Sequence, residues 1–433
     1  MHEEIKYSDK KITYSKKYVI YSTFILGLIN LIDVFTTDAS PLVASFVVEE
    51  FLISQGIPEN IAYSQYGIIF SIVPLLGFLT LFVKFIADRW GRKPALLINI
   101  MGMTIGALIV IISQTFWVFV LGRLIGTLFL VADIQLLLVN EECPKEKRAT
   151  YFAFVKIIGQ VGSILVLLMR AIFITVESTN WRAVFLLPFI GGIVTSIAVL
   201  FTFRESSVYL TMKARNMASS DYKPEKLSLI KAIKALFKLK NFRIVLISSL
   251  IGFIVVASGM FILQYWEPFL STHFTSNEVN IIYLINVLVN LFLAYLVGFI
   301  NDKIGRKKGL LLTMIITPLF IVLCLFLIPI KNLLAIGLTF GLFISAIWAS
   351  NNTLSIVKNE LTPTKYRGTM KLFMGFLFII FSTIFLFVFS YLVIFLSFEI
   401  IFLLVTISGS IIGIIIIIKI IPETKATDLT TVE

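Results

Sequence analysis

The sequence predicts an all-α membrane protein whose twelve transmembrane helices form two pseudo-symmetric six-helix bundles. Three observations support this fold class: an apolar composition, apolar runs along the whole chain, and charged motifs that recur in the same order in each half. The chain of 433 residues is 58% hydrophobic and only 14% charged. A soluble domain is far less apolar than this, so the expected surroundings are lipid.

Twelve apolar runs are long enough to cross a hydrocarbon core of about 30 Å, which takes roughly 20 helical residues. Hydrocarbon offers backbone groups no hydrogen-bond partner, and the runs lack the alternation of a barrel, so each is expected to be a helix. The predicted spans are 18–48, 62–83, 95–113, 116–140, 151–175, 183–203, 243–265, 279–300, 309–329, 333–357, 368–393 and 398–421.

The formal net charge of +12 raises the question of nucleic-acid binding, which the positions of the cations answer. Lysine and arginine cluster before the first span and at every second turn, while the opposite turns hold few. This positive-inside pattern, with an even number of spans, predicts a multi-pass protein of the cell membrane with both termini in the cytoplasm. Membrane lipids are the expected surroundings, and no nucleic-acid partner is needed. Two cysteines and two histidines favour neither a disulfide framework nor a metal site, and no cofactor is expected.

One long internal polar segment divides the spans six and six. The predicted domains are a cytoplasmic tail at 1–17, a six-helix bundle at 18–203, a cytoplasmic central loop at 204–242, a second bundle at 243–421 and a tail at 422–433. Charged motifs recur across the central loop at nearly constant offsets: Asp88 recurs as Asp302, Glu141 as Glu360, and Glu205 as Glu423. Repeats of this kind are typical of solute transporters.

The turns after the second and eighth spans resemble the signature loop of the major facilitator superfamily, which has Gly, three residues, Asp, a basic residue, any residue, Gly and two basic residues. The second copy matches fully, from Gly298 through Asp302 and Gly305 to Lys307, whereas Lys84 replaces the first Gly in the first copy. The Glu-x-x-Pro-x-x-x-Arg repeats that begin at Glu141 and Glu360, together with RES at 204–206 and PETK at 422–425, further resemble the sugar porter and metabolite:proton symporter branch.

This resemblance implies the major facilitator fold and a transporter that is not an enzyme. It also implies that the charged turns act as conformational latches, with each Asp meeting helix N-termini of the opposite half, where a carboxylate gains roughly 0.3 to 1 kcal/mol from the helix dipole. The alternative is that the charges are ordinary stop-transfer signals. The latch residues are Asp88, Arg89, Gly91, Arg92, Glu141, Arg148, Gly298, Asp302, Gly305, Arg306, Glu360 and Arg367.

Charges inside the spans are informative because each costs about 2.5 to 3.5 kcal/mol at mid-membrane. Five such residues are Asp33, Arg123, Asp133, Lys156 and Arg170. Similarity to sugar:proton symporters implies that Asp33 faces Arg123 and that protonation of Asp33 releases the arginine, which couples protons to transport. A static ion pair is the alternative. Asp133 is a third proton-coupling candidate that could instead pair with Lys156. Neither histidine lies in a span, so a carboxylate must carry any proton.

The balance of three cations to two carboxylates favours an anionic solute held by Arg170, while aromatic rings and amides in the second half suit a neutral polyol equally well. The substrate-binding candidates are Asn30, Arg123, Gln160, Arg170, Gln264, Tyr265, Trp266, Asn286, Asn290, Trp348 and Asn352. For Tyr265 and Trp266 an interfacial aromatic belt is the alternative.

We therefore expect a monomeric secondary transporter that moves a small polar organic solute, either an organic anion or a sugar-like metabolite, by alternating access with proton symport. A facilitator or exporter on the same fold, including a drug efflux pump, is one alternative. A solute sensor or receptor that does not transport is another. An integral membrane enzyme is disfavoured, because the spans hold no nucleophile motif and no cluster of histidine and carboxylate.

Overall fold

The computed structural model describes residues 14–79, 87, 89–130, 134–143, 147–175, 179–211, 234, 236–239, 241–363 and 367–424. Fourteen α-helices lie wholly within this part of the chain. They are α1 Lys16–Ala39, α2 Ala44–Phe51, α3 Glu59–Phe70, α4 Arg92–Ile111, α5 Phe116–Leu130, α6 Ile134–Glu142, α7 Arg148–Phe173, α8 Leu186–Thr202, α9 Phe242–Ser271, α10 Ser276–Ile304, α11 Arg306–Leu327, α12 Leu333–Leu361, α13 Arg367–Leu392 and α14 Phe398–Lys419.

Twelve helical stretches within the described residues are long and apolar enough to cross a membrane. This confirms the all-α fold class and the number of spans. The first span is shorter than the predicted 18–48, because α1 ends at Ala39 and the chain passes through a 3-10 turn, Pro41–Val43, into α2. Pro41 lacks a backbone N–H and cannot donate the next helical hydrogen bond. The seventh span is longer than the predicted 243–265, since α9 continues to Ser271.

One compact unit comprises Met1–Ser40, Leu76–Ile174 and Ser178–Lys226. Within it, α1 packs along α7, and α4 packs against both α5 and α8. A Cβ added to Gly162 would lie 2.5 Å from the carbonyl oxygen of Leu31. A glycine at this point of α7 therefore permits the close approach of the α1 backbone, as small residues do between membrane helices.

The second compact unit comprises Pro41–Leu75, Thr175–Glu177 and Leu227–Glu433. Within it, α12 packs against α9, α10 and α11, while α3 packs against α13 and α2 packs against α9. The helices α2 and α3 thus belong to the first six spans by chain order and to this unit by their contacts. The domain boundaries at 18–203 and 243–421 follow chain order, and they stay a prediction.

Candidate functional site

Asp33 is a buried carboxylate on α1, with 8% of its surface exposed. The side-chain amide of Gln135, a fully buried residue of α6, donates a hydrogen bond of 2.7 Å to Asp33 Oδ2. A carboxylate removed from water needs such donors, because an unpaired buried charge is strongly destabilising. The structure therefore places the first predicted coupling residue inside the first unit, bonded to a polar side chain that sequence reasoning did not identify.

Arg123 is also buried, with 7% of its surface exposed, on α5. Its Nη1 atom donates a hydrogen bond of 3.0 Å to the carbonyl oxygen of Thr36, which lies one helical turn beyond Asp33 on α1. The guanidinium carbon lies 5.8 Å from the ring centroid of Phe185, within the range of a cation–π interaction. Arg123 thus bonds to α1 one turn beyond Asp33, and the direct ion pair between the two side chains stays a prediction.

Asp38 is a second carboxylate on α1, and the sequence patterns did not single it out. The hydroxyl of Ser163 on α7 donates a hydrogen bond of 2.5 Å to Asp38 Oδ2. Asp38 lies inside the predicted first span, so a complete count of the charges in that span would have found it. With Asp38 included, the first six spans hold three carboxylates and three cations, and the excess positive charge that favoured an anionic solute disappears.

The predicted polar stripe on α7 divides by exposure. Arg170 is fully buried and Ser163 is 5% exposed, whereas Lys156 is exposed and Gln160 is half-buried. On the facing helix α1, Asn30 is buried and its amide lies 3.5 Å from the carbonyl oxygen of Val155. The side chains of Lys156 and Gln160 on α7 are therefore more exposed than that of Ser163, which bonds to Asp38 of α1. The third coupling candidate, Asp133, lies outside the described residues.

Tyr265 and Trp266 are both fully buried on α9. The indole ring of Trp266 stacks on Phe340 of α12, with ring centroids 4.0 Å apart and planes 8° apart. The hydroxyl of Tyr265 donates to the carbonyl oxygen of Tyr63 at 3.1 Å. Residues of an interfacial belt have one side in the headgroup region, so full burial excludes the belt interpretation for both. Among the described residues, the donors Trp266 Nε1 and Gln264 Nε2 are buried without a hydrogen-bond partner.

The amides predicted on α10 form a small polar network with α12. Ser345 donates a hydrogen bond of 2.9 Å to Asn290 Oδ1, and the Asn290 amide lies 3.4 Å from Asn286 Oδ1. The two remaining candidates on α12 differ, because Trp348 is 43% exposed and Asn352 is exposed. The structure thus brings Asn286 and Asn290 together, and it does not place Trp348 and Asn352 with them.

The charged turn of the first unit is held by two glutamates. Glu205 Oε1 accepts the backbone N–H of Arg92 at 2.7 Å and that of Lys93 at 3.2 Å, at the start of α4. The guanidinium of Arg92 pairs with Glu141 at 3.1 Å, and the hydroxyl of Ser206 donates to the second oxygen of Glu141 at 2.6 Å. A carboxylate therefore caps the helix N-terminus, where the helix dipole favours negative charge.

The second unit repeats this arrangement residue by residue. Glu423 accepts the backbone N–H of Arg306 at 2.8 Å and that of Lys307 at 3.2 Å, at the start of α11. Arg306 pairs with Glu360 at 3.5 Å, and Thr424 donates to Glu360 at 2.5 Å. The carboxylate at each helix N-terminus is thus a glutamate of the same unit. Sequence spacing marked Glu205 and Glu423 as a repeat without assigning them to these sites.

Glycine is required where each charged turn enters its helix. Gly91 has a φ of +114° and Gly305 a φ of +98°, in a region that side chains with a Cβ rarely adopt. The remaining latch residues that the structure describes lie in helices or in a helical turn. Arg89 lies in a described helical turn, and Arg148, Gly298, Asp302 and Arg367 lie in α7, α10 and α13. Asp88 lies outside the described residues, and the contacts predicted for Asp88 and Asp302 stay predictions.

These features define a class of protein: a multi-pass helical membrane protein with the major facilitator fold. A solved D-xylose–proton symporter is 17% identical and superposes with a TM-score of 0.73, covering 94% of this chain and 99% of that one. At that identity the likeness establishes the fold alone. A model of the family described as sugar (and other) transporter matches residues 18–433. The chain therefore belongs to the sugar (and other) transporter family, which confirms that it is a transporter and not an enzyme.

Two relatives share parts of the sequence. The class H tetracycline resistance protein of Pasteurella multocida is 23% identical over 275 residues, which are 61% of this chain. A probable plastidic glucose transporter of Arabidopsis thaliana is 29% identical over 263 residues, which are 54% of this chain. The matched stretches span 64% and 51% of the lengths of these relatives, so the similarity covers less than two thirds of either protein.

Proposed function

We propose that this transporter moves a small, neutral, sugar-like solute by alternating access and couples the movement to protons through Asp33. Both termini face the cytoplasm in this proposal, and the membrane is the cell membrane. The observation that carries the proposal is a pair of buried charges: Asp33 of α1, and Arg123, which bonds to the backbone of α1 one turn beyond Asp33.

The environment of Asp33 supports a proton-coupling role. A buried carboxylate is costly, and a packed apolar residue would stabilise α1 at least as well, so its presence in the span favours a function. Its bond from Gln135 is compatible with both protonation states, because an amide N–H donates to either form of the carboxyl group. The solved symporter with the same fold is a D-xylose–proton symporter, which agrees with this mechanism.

The buried donors on α9 support a neutral solute. Gln264 Nε2 and Trp266 Nε1 have no partner among the described residues, and buried donors are normally satisfied. Sugar hydroxyls contain acceptor oxygens that would satisfy both donors. The balanced charge of the first six spans gives no reason to prefer an anion.

Export is a second candidate function, favoured by the similarity to a tetracycline resistance protein. On the same fold, an exporter would exchange protons against an outgoing drug. Two more functions compete with symport: a facilitator, in which Asp33 and Arg123 are merely structural, and a sensor that does not transport. Export, facilitation and sensing each differ from symport in what a proton gradient does to labelled solute.

Proteoliposomes that contain the purified protein test these functions. With an inward proton gradient, wild-type protein is expected to accumulate labelled D-xylose or D-glucose above equilibrium. Asp33→Asn is expected to lose this accumulation and to keep counterflow of the same sugar, because counterflow needs no net proton movement. Asp38→Asn is the comparison, since it removes the other carboxylate from α1.

The outcomes separate the proposals. Accumulation by Asp33→Asn at the wild-type level would remove this residue from proton coupling. Equilibration without accumulation by the wild-type protein would indicate a facilitator. Proton-driven movement of labelled tetracycline, without movement of either sugar, would indicate the exporter. No movement of any of the three compounds would favour the sensor.

A further inference from the structure

Glu267 is a fully buried carboxylate that none of the motifs includes. It lies on α9, close to the C-terminal end of the helix at Ser271. The predicted seventh span ended at residue 265, which is why sequence reasoning overlooked it. Burial of a carboxylate costs several kcal/mol unless hydrogen bonds and opposite charge compensate for the loss of water. The contacts of Glu267 therefore need a structural or functional explanation.

Both oxygens of Glu267 accept hydrogen bonds from Ser45, the second residue of α2. The backbone N–H of Ser45 donates to Oε2 at 3.0 Å, and its hydroxyl donates to Oε1 at 2.8 Å. The first backbone N–H groups of a helix have no partner within that helix, and the helix dipole attracts a negative charge there. Glu267 thus satisfies the start of α2 from a different helix.

Three further contacts tie the segment Pro41–Leu75 to the rest of the second unit. Tyr265 bonds to the carbonyl oxygen of Tyr63 on α3, and a Cβ added to Gly67 would overlap the hydroxyl oxygen of Tyr265 and the Oγ of Ser390. The amide of Asn60 donates to the carbonyl oxygen of Ile394 at 2.9 Å. The segment Pro41–Leu75 is therefore held by hydrogen bonds at Ser45, Asn60 and Tyr63.

We propose that Glu267 and Ser45 form a reversible latch that holds the segment Pro41–Leu75 against α9 and α13 and opens once in each transport cycle. This inference rests on the proposed transport cycle. In chain order the segment belongs to the first six spans, which must move as a repeat during alternating access, and in its contacts it belongs to the second unit. It begins after the first span, on the side of the membrane opposite the N-terminus, and continues into the second span, Glu59–Leu79.

The type of bond suits a latch. Charge-assisted hydrogen bonds are roughly twice as strong as neutral ones, and they are lost together when a carboxylate returns to water. Apolar contacts are not directional and allow several registers, whereas the two hydrogen bonds between Glu267 and Ser45 define one arrangement. The contact at Gly67 adds a steric constraint, because α3 packs closely on Tyr265 only while the segment lies against α9.

A reporter cysteine tests whether the segment leaves. Ser390 is fully buried beside Gly67 and Tyr265, so Ser390→Cys, in a background with Cys143→Ser and Cys324→Ala, should react slowly with a maleimide in detergent. Glu267→Gln is expected to raise the labelling rate about tenfold, the factor expected for loss of one charge-assisted hydrogen bond. Glu49→Gln is the matched control, since it makes the same change at an exposed position of α2, and it should leave the rate unchanged.

Gly67→Leu is a second variant that should unseat the segment by overlap with Tyr265 and should also raise labelling. Unchanged labelling in Glu267→Gln would overturn the proposal, and so would equal acceleration by Glu49→Gln. Unchanged labelling in Gly67→Leu would overturn it as well, because the segment would then not leave α9 at all. The labelling needs neither solute nor gradient, so failure of the latch and failure of the transport assay are separate results.

Discussion

Gly305→Ala tests whether the turn before α11 depends on a glycine and on the carboxylate beside it. Gly305 has a φ of +98° and a ψ of +159°, a conformation that costs a residue with a Cβ about 1 to 3 kcal/mol. An added Cβ would also lie 2.6 Å from Glu423 Oε2. Because that oxygen is the end of a flexible side chain, Glu423 would move and weaken its bonds to the backbone of Arg306 and Lys307.

The magnitude follows from these two terms. Hydrogen bonds to a charged group contribute about 1.5 to 3 kcal/mol, and those of Glu423 are partly exposed to water, so the lower end of that range applies. The expected loss of stability is about 2 to 4 kcal/mol. For a folding unit of about 200 residues, this lowers the apparent melting temperature by roughly 5 to 12 °C.

The assay is thermal unfolding of the purified protein in detergent, with hydrogen exchange at the first residues of α11 as the local readout. Gly375→Ala is the matched control, because Gly375 lies within α13 and a Cβ there would meet nothing within 4 Å. Replacing a mid-helix glycine by alanine stabilises by about 0.5 to 1 kcal/mol, so this control should melt at or above the wild-type temperature. A Gly305→Ala protein that melts at the wild-type temperature would refute the reasoning.

Two further predictions use thermal unfolding. Burial raises the pKa of the Glu142 carboxyl, and hydrogen bonds from Ser207 partly oppose this effect. The charged form is therefore disfavoured in the folded protein, which loses stability as the pH rises through the folded-state pKa. Glu142→Gln should therefore match or exceed wild-type stability at pH 7, whereas Glu141→Gln should lower it by breaking the pair with Arg92; a lower melting temperature for Glu142→Gln alone would contradict this. Trp266→Leu should cost about 2 to 4 kcal/mol, because it removes the ring stacked on Phe340 and leaves a cavity; an unchanged melting temperature would show that the stack contributes little.

Much of this protein follows from its sequence alone. The solvent is fixed by composition, since a chain with 58% hydrophobic residues cannot present a water-soluble surface, and hydrocarbon leaves helices as the simplest way to satisfy the backbone. The spans, the family and the repeated charged turns follow from local patterns of length and spacing. The resemblance marked Gly91 and Gly305 as parts of the charged turns, and the positive φ found at each gives the physical reason for a glycine there.

The tertiary structure decided which polar groups meet. Gln135 bonds to Asp33 across a separation of 102 residues, and Ser45 bonds to Glu267 across 222, so no local spacing links either pair. The burial of Tyr265 and Trp266 also depends on neighbouring helices, because an aromatic residue near a span end has the same local pattern in a belt and in a packed core. Periodicity gives the face of one helix, and only the packing of several helices determines what that face contacts.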